Sequence, residues 1–212
     1  MRMRKLPWAE DFLKEQDVVI KDPSSYAGTW KTLLGKERLH VEIGTGKGDY
    51  LLQMSQMYQD CGWIGIERNN NVAALAVRKY TNMEEPGNHV AFINDDAEEI
   101  SSWFQQGEVD VIHLNFSDPW PKKRAHKKRL SNEKFIHQYE EILSPQGEIR
   151  MKTDNSSLFE YSIIEFQTCG WYLVEFSVDF RRLEHEEDAI SEYERKFMEK
   201  GQPIYRAVWR KK

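Results

Sequence analysis

From residue 39 onward the chain alternates short apolar runs with segments whose apolar positions recur at three- and four-residue spacing. Leu39–Ile43, Trp63–Ile66, Val90–Ile93, Val109–Leu114 and Glu148–Lys152 read as buried strands. Tyr50–Tyr58, Val72–Tyr80, Ala97–Phe104 and Glu133–Leu143 lie between them with helical spacing. Strand and helix in turn predict an α/β fold, a parallel sheet with helices on both faces. A further helix is expected over Ser156–Thr168, followed by strand-like composition at Trp171–Val178 and Ile204–Arg210. Two late antiparallel strands would complete a mixed sheet of about seven strands. Residues 1–37 read as an N-terminal extension, helical around Trp8–Lys14 and Tyr26–Leu34, of one domain spanning 1–212.

Composition narrows the class. With 40% hydrophobic and 31% charged residues, the chain is globular and not disordered. Cys61 and Cys169 are far apart with no metal-ligand spacing, which points to a reducing cytoplasm and no metal. The N-terminus is basic at Arg2, Arg4 and Lys5, but no signal-like apolar core follows, and no membrane span is expected. The net charge of -5 argues against uniform attraction to nucleic acid, yet the charge is segregated. Residues 122–129 hold six Lys or Arg and no acid, while 184–194 hold six acids and no Lys or Arg. Local fields govern docking at a Debye length of about 8 Å, so the basic arm suits a phosphate backbone. The acidic run at 184–188 reads as a solvated or mobile loop, or as a lid, ordered when RNA arrives, that brings Ser191–Glu194 over the target.

The strand ends carry the candidate chemistry. Val41-Glu42-Ile43-Gly44-Thr45-Gly46-Lys47-Gly48 sits at the first strand-to-helix turn, where glycines allow a ligand close to the backbone. The third glycine comes one residue too early for the dinucleotide fingerprint, and Glu42 would repel a pyrophosphate. A ligand bearing an ammonium or sulfonium charge fits better, which disfavours a nicotinamide dehydrogenase. Glu67 ends the second strand, where an acid can hold a ribose, and Asp96 follows the third. As a single residue each also suits a helix N-cap; the conjunction on one sheet edge is what points to a ligand. This layout resembles the class I S-adenosylmethionine-dependent methyltransferases, which implies a Rossmann-like fold and S-adenosyl-L-methionine as cofactor, with Gly44 and Gly46 in its pocket.

Asp118 ends the fourth strand on the same edge, ahead of the rigid Pro119-Trp120-Pro121 and the basic arm. Asp118-Pro119-Trp120-Pro121-Lys122 and the arm, with Glu-Ile-Gly-Thr-Gly-Lys-Gly at 42–48, Gly-Ile-Glu at 65–67, Lys-Thr-Asp at 152–154 and Ser-Glu-Tyr-Glu at 191–194, resemble the bacterial tRNA (guanine-N7)-methyltransferases. The resemblance implies methyl transfer to a guanosine of the tRNA variable loop. It puts Glu42, Glu67, Asp96 and Asp118 at the cofactor, with Asp118 also at the reaction centre. It assigns Lys122, Asp154, Ser191, Glu192, Tyr193 and Glu194 to the target nucleotide, and Arg124, Ala125, His126, Lys127, Lys128 and Arg129 to RNA contact. Two positions depart from the family pattern: Ser191, where Thr is commoner, and Ala125, which displaces His126 by one residue. His126 therefore reads as solvent-facing. Asp154 or Glu194 would accept from guanine N1–H and its amino group, and Trp120 and Tyr193 either stack on the base or pack within the protein. The competing readings are a same-fold methyltransferase on another substrate and a non-catalytic RNA-binding protein.

Overall fold

The computed structural model describes residues 5–212, so Arg2 and Arg4 of the basic N-terminus lie outside the described residues. The strands are β1 (Arg38–Ile43), β2 (Cys61–Ile66), β3 (Val90–Ile93), β4 (Val109–Asn115), β5 (Leu143–Thr153), β6 (Tyr172–Ser177) and β7 (Tyr205–Arg210). They form one sheet in the order β3-β2-β1-β4-β5-β7-β6. β1 to β5 are parallel, while β7 runs antiparallel to both β5 and β6. The order reverses between β1 and β4, which opens a crevice at their carboxyl ends.

The helices are α1 (Ala9–Glu15), α2 (Trp30–Leu34), α3 (Asp49–Met57), α4 (Asn70–Thr81), α5 (Glu133–Ile142), α6 (Ser156–Thr168) and α7 (Glu192–Met198). Alternation along the strands sorts the core by face. Leu39, Val41 and Ile43 of β1 join Ile64, Ile112 and Ile149 beneath α2, α5 and α6. Trp63, Val90 and Phe92 face the other side, against α1, α3 and α4. Gly65 in β2 has a steric reason: a Cβ there would stand 2.7 Å from Leu51 Cδ2 and 3.1 Å from Thr45 Cγ2. Its absence lets α3 and the turn before it close onto the sheet.

Several elements differ from the expectation. Tyr26–Leu34 is not one helix: a 3₁₀ turn at Pro23–Tyr26 precedes α2, and Gly28 with φ 82° interrupts them. Ala97–Trp103 is 3₁₀ with a kink at Glu99, since spacing by three supports either helix type. β5 begins at Leu143, earlier than the expected Glu148. The first 37 residues, as far as described, pack against the sheet. Val19 bridges Phe92 of β3 in parallel, and Trp30 is fully buried with its indole N–H donating to Trp103 O at 2.7 Å. Glu108 fastens this segment by accepting from the backbone N–H of Gly28, Trp30 and Gln105 at 2.8–2.9 Å. Glu108→Ala leaves these donors unpaired, so a loss of about 2–4 kcal/mol in urea unfolding is expected. An unaltered midpoint would show that the segment is held by apolar contacts alone.

Candidate active site

The carboxyl edge gathers the acids singled out by the sequence. Glu42 at the end of β1 is buried, accepting from the Thr45 hydroxyl at 2.7 Å and the Asn115 amide at 2.9 Å. Burial pushes its pKa up to about 7, against the hydrogen bonds from Asn115 and Thr45, which favour the ionised form. Glu67, after β2, accepts from Gly46 N at 3.1 Å and Asn69 N at 2.8 Å, so it ties the glycine turn to the next strand. Burial raises its carboxyl too, with those two backbone donors opposing. Asp96 and Asp118 are exposed and bridged by Arg68, whose guanidinium lies 3.4 Å from each. Arg68 directly follows Glu67, and nothing in the sequence pattern marked it.

Gly44 and Gly46 adopt φ of 81° and 59°, a left-handed conformation that most side chains avoid. A Cβ on Gly44 would meet nothing within 4 Å, so the turn opens onto free space. One pocket there is lined by Glu42, Gly44, Gly46, Asn115 and Phe116 on one side and Ser191, Glu192 and Tyr193 on the other. Lys47 and Glu192 pair across it at 2.9 Å. Glu192 is held down to about 2 by its hydrogen bonds from Lys196 and Lys47. An open glycine cradle with a buried carboxylate beneath it fits a cationic donor such as S-adenosyl-L-methionine.

The turn carrying Asp118 is strained on both sides. Phe116 and Trp120 have φ of 51° and 40°, values that L residues with large side chains rarely adopt. Arg129 secures this turn: it is buried, donates Nε to Pro119 O at 2.8 Å and places its guanidinium 4.4 Å from the Tyr161 ring centroid. The last residue of the basic arm therefore faces inward. Lys122, Arg124, Lys127 and Lys128 are exposed, and Lys123–Lys128 form a 3₁₀ turn. His126 packs edge-on against Tyr161 and is only partly exposed, which differs from the solvent-facing expectation. Ala125 beside it is half-buried. The half-buried Trp120 ring lies between Lys128 and Arg68, at 5.0 and 5.8 Å.

Asp154 follows β5 on the same edge, half-buried, its carboxyl raised by burial. Glu194 and Ser191 form a capping box at the start of α7, a helix that the sequence pattern did not reveal. Tyr193 is exposed, whereas Glu194 is fully buried, with its oxygens committed to Lys152 and Arg181. The acidic run is likewise not merely a solvated loop. Asp188 is buried, and although burial alone raises its carboxyl, Lys152, Arg206 and Arg181 bring it below its usual value. Beyond it lies a buried polar chain absent from the sequence reading. The Tyr50 hydroxyl donates to Asp188 at 3.0 Å, His113 Nδ1 stands 3.1 Å from that hydroxyl, and His40 Nδ1 stands 3.1 Å from His113 Nε2. With the hydroxyl proton directed at Asp188, His113 donates from Nδ1 and accepts from His40. Burial first, and the neighbouring cations after it, hold both imidazoles neutral.

Comparison with known proteins agrees with this layout. A family pattern described as "Putative methyltransferase" matches residues 36–207. The chain is 45% identical to the tRNA (guanine-N(7)-)-methyltransferase of Bacillus licheniformis, over 99% of this chain and 100% of that one. It is 44% identical to the protein of that name from Bacillus subtilis, with the same coverage. Among solved structures, the 30S ribosomal A1408 methyltransferase from an uncultured bacterium superposes with a TM-score of 0.59 at 17% identity, over 91% of this chain and 95% of that one. At that identity the likeness concerns the fold, a Rossmann-like mixed sheet.

Proposed function

The chain belongs to the tRNA (guanine-N7-)-methyltransferase family, and on that premise we propose that it methylates N7 of a guanosine in the tRNA variable loop. The observation that carries this reading is Asp118, set on a strained turn between the acid-lined crevice and an exposed basic arm. When bound, S-adenosyl-L-methionine supplies an electrophilic methyl group on a sulfonium. Glu42, Glu67 and Asp96 would hold the donor at the ends of β1 to β3, and Gly44 and Gly46 leave the room for it.

Guanine N7 has an in-plane lone pair and no proton, so its attack requires no general base. It requires alignment, and stabilisation of the positive charge that develops on the purine. Asp118 would serve both, and Asp154 would accept from the guanine edge. Lys122, Arg124, Lys127 and Lys128 meet the RNA backbone. Residues 1–212 act as one domain, with 1–37 as its N-terminal extension. Cys61 and Cys169 are free thiols, in keeping with action in the cytoplasm. Among the described residues no helix is long and apolar enough to cross a membrane.

Labelled methyl groups are expected to enter tRNA when RNA, protein and metabolite pools are offered together; label in another pool would overturn the reading. Neutralising Lys127 and Lys128, with Arg129 left to hold its turn, is expected to weaken tRNA binding. The slope of log K against log salt should fall by roughly 1.4–1.8. An unaltered slope would make the arm ordinary surface.

A further inference from the structure

α7 forms the far wall of the pocket, and its one apolar contact described there, Phe197 stacked on Phe116 at 5.9 Å, stays partly exposed. Of its seven residues, all among those described, Glu194 alone is buried. Its carboxylate is gripped from three directions. Lys152 of β5 donates to Oε2 at 2.8 Å, Arg181 donates Nε to Oε1 at 2.6 Å, and Ser191 N closes the capping box at 3.3 Å. Asp188 completes the cluster, accepting from Lys152 at 2.5 Å and from Arg181 at 2.6 Å. Lys152 makes its remaining hydrogen bond to Ala189 O at 3.1 Å, so all three ammonium protons are used. Lys152 and Arg181 are 1% and 6% exposed and cannot reach a ligand in the crevice.

Buried charges of this kind are a poor source of stability compared with apolar packing, but they are directional. Here the direction is specific. The cluster draws the segment 188–191 and the first turn of α7 down onto the end of β5, and so sets where Glu192 and Tyr193 face the glycine turn across the pocket.

We propose that Lys152 and Arg181 are positioning residues for the tRNA reaction, acting through Asp188 and Glu194, and that Glu194 anchors the pocket wall and does not read the guanine. This rests on the tRNA-methyltransferase reading above. It removes Glu194 from the pair of acids open to the guanine edge and leaves Asp154.

The test is a double-mutant cycle on the full chain with Lys152→Met and Glu194→Gln, alone and combined. The readouts are melting temperature, kcat and KM for tRNA, and hydrogen exchange over residues 188–198. Each single variant leaves one buried charge uncompensated, and the pair removes one of each sign. The melting temperature is therefore expected to fall in the singles and recover in the double. KM for tRNA is expected to rise roughly tenfold in each single, the equivalent of one good interaction, and to stay raised in the double without multiplying. Faster exchange is expected in 188–198 while β1 to β4 stay protected.

A KM that returns to the wild-type value with the melting temperature would reduce the cluster to a stabilising role and overturn the proposal. So would a KM raised by Glu194→Gln but not by Lys152→Met, because only direct contact with the nucleotide explains that split. Should Lys152→Met fail to fold, Arg181→Lys keeps the charge but not the two-carboxylate grip, and a normal KM there counts against the proposal. Absence of tRNA methylation in the wild type would refute the assigned function instead; the exchange comparison still reads the anchor.

Discussion

Replacing Asp118 by alanine is expected to abolish measurable methyl transfer to tRNA, a loss of at least about 10²–10³-fold in kcat. The protein itself should be unaffected. The Asp118 side chain is 69% exposed and its ion pair to Arg68 spans 3.4 Å, an arrangement that contributes little to stability. Its turn is held independently, by Arg129 on Pro119 and by Phe116 N donating to Lys152 O at 2.8 Å. Melting temperature and affinity for S-adenosylhomocysteine are the controls that separate chemistry from binding. Turnover within twofold of wild type would remove Asp118 from the reaction centre.

Glu42→Gln is expected to move stability and donor binding in opposite directions. Glu42 is buried, and its pKa in the fold stands at about 7 against an ordinary 4.5. Between those values the native state keeps a proton that the unfolded chain has released. Its contribution to stability is thus fully present below the unfolded value and is lost as pH rises through about 7, on the order of 3 kcal/mol in total. Glutamine removes that slope and should stabilise the ligand-free protein at pH 8. A cationic donor needs the ionised carboxylate, so the same substitution should weaken donor binding by about 2–5 kcal/mol. In the wild type, donor affinity should fall by up to tenfold per pH unit below about 7, with proton release on binding at pH 6. Calorimetry in buffers of differing ionisation enthalpy reads this directly. Flat affinity from pH 6 to 8 with no proton release would show that Glu42 does not face the donor.

What was legible in the sequence follows the hydrophobic pattern closely. β3 and α6 have the expected limits, because an apolar run bounded by turn residues and a helix capped by Asn155 are local signals. The acids on the carboxyl edge were legible for the same reason, each being tied to the end of a recognisable strand. α7 was not. Its one buried residue is charged, and Tyr193, Phe197 and Met198 stay at least partly exposed, so the pattern offers no buried apolar face to detect. The acidic run concealed Asp188 because its partners, Lys152, Arg181 and Arg206, come from distant positions and composition does not record pairing. Arg129 belongs by sequence to the basic arm, and only the fold of the Pro-Trp-Pro turn separates it from the exposed lysines. Charge runs indicate a field; they do not say which member folds inward.

The measurement closest to the central claim is nucleoside analysis of unmodified tRNA incubated with the protein and labelled S-adenosyl-L-methionine. The expected product is 7-methylguanosine located in the variable loop, absent when Asp118→Ala replaces the wild type. A label on any other nucleoside would contradict the account, because the role proposed for Asp118, aligning the acceptor and stabilising the cation that develops, is the one an unprotonated ring nitrogen such as guanine N7 requires.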